Sequence, residues 1–396
     1  MNQDQINEVK KMYDHAPFPA SLGGERGAGI PLITDWINST VMPSGKSLFD
    51  GARILIAGCG SGAEALEMAM KFPNASILGI DFSKPSIDWA NTYMAATSYK
   101  NVAFQVVDLM DTVCMKGLGT FDFVLCHAVA DYVMDPSLLL KNLAYCLREH
   151  GAIYMSVNSP RHPAKRIQSA FSHIFFNTTY NHKDTTHREA LSIISNIMGS
   201  SNPLVGLTQS SEAYLQVDIF PPVCHHTSLD QWINWAQEHD LTFGGSLDAI
   251  YGLVHIADQQ LSYLLSMDRS TLSRWMAPLL NATSYQMIFT RKQTDHFISC
   301  KDDTFFESAR PVLSSSLGAL PQLNRDKMFD LMPVTLRFQN FPDLVIACNA
   351  IELEVLRQCN GTKTLREILD QLPVKIDEGK LCYTLFKAYH YGILWY

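Results

Sequence analysis

Arg53-Ile54-Leu55-Ile56-Ala57-Gly58-Cys59-Gly60-Ser61-Gly62 runs straight into Ala63-Glu64-Ala65-Leu66-Glu67-Met68-Ala69. The aliphatic run spells a buried strand and the Ala/Glu/Leu/Met run a helix, with three glycines between them. Glycine reaches backbone conformations closed to other residues and lets a ligand approach, while a helix N-terminus offers unpaired N–H groups. Spacing narrows the ligand. A dinucleotide fingerprint, G-x-G-x-x-G, places its third glycine three positions after the second and sets a pyrophosphate on the helix end. Here the interval is two, which is not the diphosphate spelling. A glycine-rich turn without a ligand is the competing reading, and the order of the following elements argues against it.

Ser76-Ile77-Leu78-Gly79-Ile80 reads as a second strand ending in Asp81, after which Ser83 caps a helix with Pro85 in its first turn. Val102-Ala103-Phe104-Gln105-Val106-Val107 reads as a third strand ending in Asp108-Leu109. Phe121-Asp122-Phe123-Val124-Leu125-Cys126 makes a fourth, opening into His127-Ala128-Val129-Ala130-Asp131-Tyr132-Val133-Met134-Asp135-Pro136. A helix from Ser137 to Glu149, then His150-Gly151 and a strand from Ala152 to Val157, completes five β/α units.

G-x-G-x-G after a strand resembles motif I of the class I S-adenosylmethionine-dependent methyltransferases, whose ligand has no phosphate. The pattern FD-x-V-x-x-HAV-x-x-x-V-x-DP is similar to the loop after strand four in many small bacterial methyltransferases, which packs beside the cofactor. The resemblance implies an α/β, Rossmann-like seven-stranded sheet over residues 51–292 with a helical insertion at about 159–227, and S-adenosyl-L-methionine as cofactor. Gly58, Cys59, Gly60 and Gly62 then form the cradle, with Cys59 filling space. Asp81, followed by Phe82, suits the ribose, because one carboxylate accepts from two hydroxyls. Asp108 and Leu109 take the adenine by resemblance, and His127 stands beside the cofactor.

Methyl transfer by in-line displacement requires alignment, desolvation and, for a protonated acceptor, a base. Candidates are His127, Asp131 and Tyr132 at the fourth strand's mouth, and Tyr13 before the fold. Imidazole takes a proton near neutral pH; packing against the cofactor is the other role open to His127. Tyr13-Asp14-His15-Ala16-Pro17-Phe18-Pro19 resembles an aromatic and proline motif preceding motif I in one group of bacterial methyltransferases, implying a lid in residues 1–50. The alternative is a disordered tail.

Composition fits an enzyme of a reducing compartment. The 396 residues are 47% hydrophobic and 18% charged, enough for two domains. A net charge of -8 argues against a phosphate-backbone binder, so no nucleic acid is expected as partner. No apolar run approaches a membrane span and the start Met1-Asn2-Gln3-Asp4-Gln5 is too polar for a signal peptide, so a cytoplasmic chain without membrane partner is expected. Nine cysteines include no C-x-x-C pair, and no metal is expected. His225 and His226 are adjacent, a poor geometry for sharing one ion. Homodimer formation is left open.

Inside the insertion, helical stretches are expected near Lys165 to Phe176 and Arg188 to Met198. Arg161, Lys165, Arg166, Lys183 and Arg188 there form either a solvated face or a patch for an acidic acceptor. Ser228-Leu229-Asp230-Gln231 spells a capping box opening a helix, Asp240 to Gly245 a strand, and Tyr285 to Lys292 the final antiparallel strand.

Thr294 to Gln322, rich in serine and mixed charge, reads as a linker within 293–322, followed by a module at 323–396. A hairpin (Leu336-Arg337-Phe338 and Leu344-Val345-Ile346-Ala347, with Asn340 and Pro342 in the turn) precedes a helix at Ala350 to Cys359. Asn360-Gly361 stops it, and the Thr364-Leu365-Arg366-Glu367 capping box and a helix from Glu378 to Tyr391 follow. That order resembles the PqqD-type winged-helix peptide-recognition domain, and a winged helix also closes some protein lysine methyltransferases. A small α+β winged-helix-like domain is implied, with dimerisation or packing as its other role. The module favours a peptide or protein acceptor, the insertion a small molecule. A cofactor-binding regulatory protein without turnover is the third reading.

Overall fold

The computed structural model describes residues 9–11, 13–14, 30–42, 47–162, 164–165, 167, 169, 191–193, 196–197, 215, 219–221, 223–253, 256–291, 297–314, 334–338 and 341–396. The expected helices at 165–176 and 188–198, Arg166, Lys183, Arg188, Lys292, Asn340 and the His15–Pro19 part of the lid motif lie wholly or mostly outside them.

Seven strands form the central sheet: β1 (Arg53–Ala57), β2 (Ser76–Asp81), β3 (Val102–Val106), β4 (Phe121–His127), β5 (Leu147–Asn158), β6 (Thr242–Ser246) and β7 (Ser284–Thr290). Their order is β3-β2-β1-β4-β5-β7-β6. Neighbours from β3 to β5 run parallel, whereas β7 lies antiparallel to both β5 and β6. This is the α/β, Rossmann-like seven-stranded sheet that the resemblance to class I methyltransferases implies. The central strands read as continuous aliphatic runs because both faces are covered. Alternate residues of β1 therefore enter two cores, with Ile54 and Ile56 in one and Leu55 and Ala57 in the other.

Helices α1 (Ile30–Val41), α2 (Ala63–Lys71) and α3 (Lys84–Ala95) place Trp36, Met68 and Ile87 in the first core. On the opposite face, α4 (Thr112–Gly117), α5 (Pro136–Tyr145) and α6 (Leu229–Glu238) supply Met115, Leu140 and Trp232. The Ser83 Oγ accepts from the Ser86 N–H to start α3. Ser228 Oγ accepts from the Gln231 N–H at 3.3 Å, the serine half of the capping box that opens α6. Helices α7 (Asp248–Leu253), α8 (Asp258–Leu261) and α9 (Arg269–Met276) connect β6 to β7.

The C-terminal unit is less separate than its sequence implies. Helix α10 (Phe305–Ser308) and β8 (Val312–Leu313) lie inside the stretch expected as linker. Phe305 and Ala309 are fully buried, the Leu365 N–H bonds Ala309 O at 3.0 Å, and β8 pairs with β11 (Leu394–Trp395). Serine and charge at 301–308 mask this, since two apolar side chains in a short segment leave no periodicity to read. The hairpin β9 (Val334–Phe338) and β10 (Phe341–Cys348) precedes α11 (Ala350–Gln358), α12 (Leu365–Leu369) and α13 (Glu378–His390). The Thr364/Glu367 capping box is reciprocal: Thr364 N–H donates to Glu367 Oε2 at 2.7 Å, and Glu367 N–H to Thr364 Oγ1 at 3.2 Å. Leu353, Leu381 and Phe386 belong to the same continuous core as Trp36 and Phe123. Among the described residues no helix is long and apolar enough to cross a membrane.

Candidate functional site

Sheet register brings the expected site residues to one edge. Ala57 pairs with Ile80, Ile56 with Leu125, and His127 with Ser156, so Gly58, Asp81 and His127 stand side by side at the carboxyl ends of β1, β2 and β4. In open α/β sheets that edge is where ligands bind. Gly58, Gly60 and Gly62 have φ of 75°, 52° and 88°. A side chain is excluded at Gly58 for a second reason, because a Cβ there would lie 2.5 Å from Val129 Cγ2. Gly58 and Cys59 both donate to Ile80 O, at 2.8 and 2.9 Å, which folds the loop onto β2. Cys59 is buried beside Gly79, and burial pushes its thiol well above the ordinary range, as suits a space-filling residue.

Asp81 closes the turn. Its Oδ2 accepts the Gly60 N–H and its Oδ1 the Ser83 N–H, both at 2.9 Å. Burial raises its carboxyl above the ordinary 3.8, opposed by the N–H groups of Ser83, Gly60 and Phe82. A carboxylate offers about four acceptor positions, so Asp81 keeps capacity beyond these N–H groups. The residues fit an adenosyl ligand on that count. Asp108 is exposed two residues beyond Val106, the partner of Asp81, and spends one oxygen on the Met110 N–H at 2.9 Å. Leu109 is buried, with its carbonyl accepting from Asn142 Nδ2 at 2.8 Å.

The segment before the fold reaches this edge too. Ser83 Oγ donates to Asp14 Oδ1 at 2.9 Å, and the Tyr13 ring meets Phe82 edge-on at 5.9 Å. Phe82 is therefore covered on one side by the residue that the sequence assigns to a lid.

His127 ends β4, and the next residue, Ala128, has φ 54°. A left-handed alanine costs roughly 1–2 kcal/mol and persists only where its surroundings hold it. The His127 Nδ1 contacts the Glu64 Oε1 from the first turn of α2. Sequence reading passed over Glu64, since an acidic residue in a first helical turn looks like an ordinary dipole partner; only the 63-residue separation closed by the fold reveals it. Tyr154 of β5 presents its ring to His127 at 6.3 Å, and its hydroxyl donates to Gln286 Oε1 of β7 at 2.8 Å.

Asp131 and Tyr132 face inward instead. Asp131 Oδ2 accepts the Asn158 N–H at 2.7 Å and its carbonyl accepts the His225 N–H at 2.7 Å. Tyr132 is buried, its hydroxyl accepting from Asn158 Nδ2 at 3.4 Å. Both brace the loop after β4 against β5. The two histidines diverge: His225 Nε2 donates to Val133 O at 2.9 Å, while the His226 ring stacks on His162 at 6.0 Å. Burial lowers the pKa of His226 to about 4.

A family model described as a methyltransferase domain matches residues 48–204. The ubiquinone biosynthesis O-methyltransferase of Ralstonia nicotianae is 28% identical over 130 residues, covering 32% of this chain and 49% of that protein. An uncharacterized protein of Rickettsia prowazekii is 32% identical over 114 residues, 28% of this chain and 20% of that protein. The chain thus spans about half or less of the curated relatives it matches. The solved structure of PKMT2 from Rickettsia typhi shares the fold, with a TM-score of 0.60 at 17% identity over 94% of this chain and 76% of that one. Its complex with AdoHcy gives 0.57 at 18%, over 93% and 75%. Residues 48–204 therefore match a methyltransferase domain, set on a sheet with the class I methyltransferase fold.

Proposed function

We propose that this protein transfers the methyl group of S-adenosylmethionine to a nitrogen or oxygen nucleophile on a peptide or protein. The observation that carries the reading is the clamp of Gly60 N–H and Ser83 N–H on Asp81, beside a loop whose three glycines are all left-handed. It leaves a desolvated carboxylate with acceptor capacity beyond the N–H groups that hold it. When bound, the cofactor supplies a methyl group on an electron-poor sulfur, so the chain has mainly to align and dry the reactants. Asp81 holds the ribose, and Asp108 and Leu109 border the adenine. Tyr13 and Phe82 cover the rim, and His127 receives the acceptor's proton.

A peptide or protein acceptor is supported by the hairpin-and-helix unit after residue 334, whose element order resembles peptide-recognition domains. That unit shares its core with the catalytic half, so a grip on the acceptor there stays in fixed register with the cofactor edge. Incubating the full chain with methyl-labelled S-adenosylmethionine and a lysate of the source cells tests the reading. Label recovered on a protein side chain is the expected result; label only on small metabolites would redirect the acceptor, and none at all would refute turnover.

A further inference from the structure

We infer that Glu64 is a positioning residue: its carboxylate fixes the His127 imidazole as the Nδ1–H tautomer, so that Nε2 takes the acceptor's proton during methyl transfer. The inference rests on the methyltransferase reading above and adds to it a residue that motif I does not assign.

Glu64 sits at the second position of α2, two residues after Gly62, and is 9% exposed. A carboxylate removed from water is costly unless paired. The positive end of α2 and the His127 Nδ1 both help to offset that cost. Imidazole bonded to a carboxylate through Nδ1–H keeps its lone pair on Nε2, the division of labour that makes histidine a proton acceptor in serine hydrolases. The His127 side chain remains 29% exposed, against 11% for Glu64, so the pair is sealed at the Glu64 end and open at the imidazole.

The groups around His127 leave room for this role. Glu64 meets it from α2, and Tyr154 meets it edge-on from β5. Tyr154 is held neutral by burial and gives its hydroxyl proton to Gln286 of β7. Asp131, on the loop that follows His127, turns its Oδ2 to the Asn158 N–H. The left-handed Ala128 fixes the direction in which the chain leaves His127.

In the step itself, the acceptor nitrogen or oxygen forms a bond to the methyl carbon as the carbon–sulfur bond breaks, leaving its electron pair on sulfur. The acceptor's proton passes to Nε2, giving an imidazolium whose Nδ1–H stays on the Glu64 carboxylate. Water later removes that proton.

The full chain and its Glu64→Gln, Glu64→Asp and His127→Gln variants provide the test. Their probes are methyl-labelled S-adenosylmethionine with source-cell lysate, adenosylhomocysteine calorimetry and nitrogen NMR of labelled histidines. Nitrogen NMR is expected to show His127 as the Nδ1–H tautomer in the full chain and as a mixture of the two tautomers in Glu64→Gln, which removes the carboxylate that faces Nδ1. Label transfer should fall roughly 10- to 100-fold, at the lower end of general-base effects because the imidazole itself is retained. Glu64→Asp should recover part of the transfer, and adenosylhomocysteine affinity should stay within about threefold, near the change of a neutral site. An unchanged His127 tautomer in Glu64→Gln would overturn the proposal. So would loss of adenosylhomocysteine binding in Glu64→Gln, because Glu64 would then be a cofactor ligand. Failure of the unmodified chain to bind adenosylhomocysteine would instead refute the underlying reading, in a separate measurement.

Discussion

The Gly60 N–H donates to Asp81 Oδ2 at 2.9 Å, joining the left-handed loop after β1 to the carboxylate that ends β2. The loop's shape and the carboxylate proposed to hold the ribose are one hydrogen-bonded unit, so a change in either disturbs the other.

Replacing Asp81 by Asn tests that unit. The amide keeps the size and one acceptor oxygen but loses the charge-assisted bonds, worth about 1.5–3 kcal/mol each. Adenosylhomocysteine is expected to bind roughly 10- to 100-fold more weakly, at 1.4 kcal/mol per tenfold. Asp81→Ala should bind less still, because it strands the Gly60 and Ser83 N–H groups.

Affinity should also depend on pH. Burial raises the Asp81 carboxyl above 3.8, so the folded chain takes this proton at a higher pH than the unfolded one does. Its contribution to the stability of the empty protein is fullest below 3.8 and is lost as pH rises through the folded value. Ribose binding has the opposite sign, since only the ionised form accepts two hydroxyls. The rise in melting temperature on adding adenosylhomocysteine should therefore shrink as pH falls, beginning above 3.8, and Asp81→Asn should flatten that dependence.

Gly62→Ala should cost both stability and binding. Its φ of 88° disfavours a side chain, and the new Cβ would stand 2.9 Å from Phe104 Cζ and 3.0 Å from Ala90 Cβ. Strain and overpacking together amount to roughly 2–4 kcal/mol. A melting curve and a calorimetric titration of the variant measure the two losses.

Much of this site was legible because its cues are local. Motif I, the position of Asp81 at a strand end and the Ser83 cap each occupy a few consecutive residues. The aliphatic runs also mark the five β/α units, and the resemblance to class I methyltransferases implies the sheet they join. Glu64 was not legible, since its partner lies on another strand. Nor was the burial of Asp131 and Tyr132, whose polar side chains read as exposed loop until Asn158 is brought against them. The expected linker failed for the same reason: Phe305 and Ala309 earn their burial from α12 and β11, which arrive late in the chain.

Arg269 shows how firmly the C-terminal unit is held. It is 4% exposed, donates from Nη1 to Thr40 Oγ1 at 2.6 Å and from Nη2 to Tyr389 O, and lies 4.3 Å over the Tyr389 ring. Those contacts link α9 to α1 and α13. Arg269→Ala should destabilise the whole chain by about 2–4 kcal/mol through lost hydrogen bonds and a cavity. Urea unfolding should show one transition at lower midpoint. Two separated transitions would mean that the halves fold independently.

Thiol chemistry gives an independent check on the packing. Cys114 is exposed, whereas Cys59, Cys126, Cys146, Cys348, Cys359 and Cys382 are buried. Burial pushes Cys146 up to about 11 and Cys348 and Cys359 to about 12. Iodoacetamide on the native chain is expected to modify Cys114 first, by peptide mass mapping, and to leave Cys59 intact until the protein unfolds.

The central claim is that the loop beside Asp81 takes an adenosyl group rather than a diphosphate, and calorimetric titration of the full chain with adenosylhomocysteine and with NAD tests it most directly. One equivalent of adenosylhomocysteine should bind, with NAD giving no saturable heat, and Asp81→Ala should remove the signal. Saturable NAD binding with no response to adenosylhomocysteine would contradict the account.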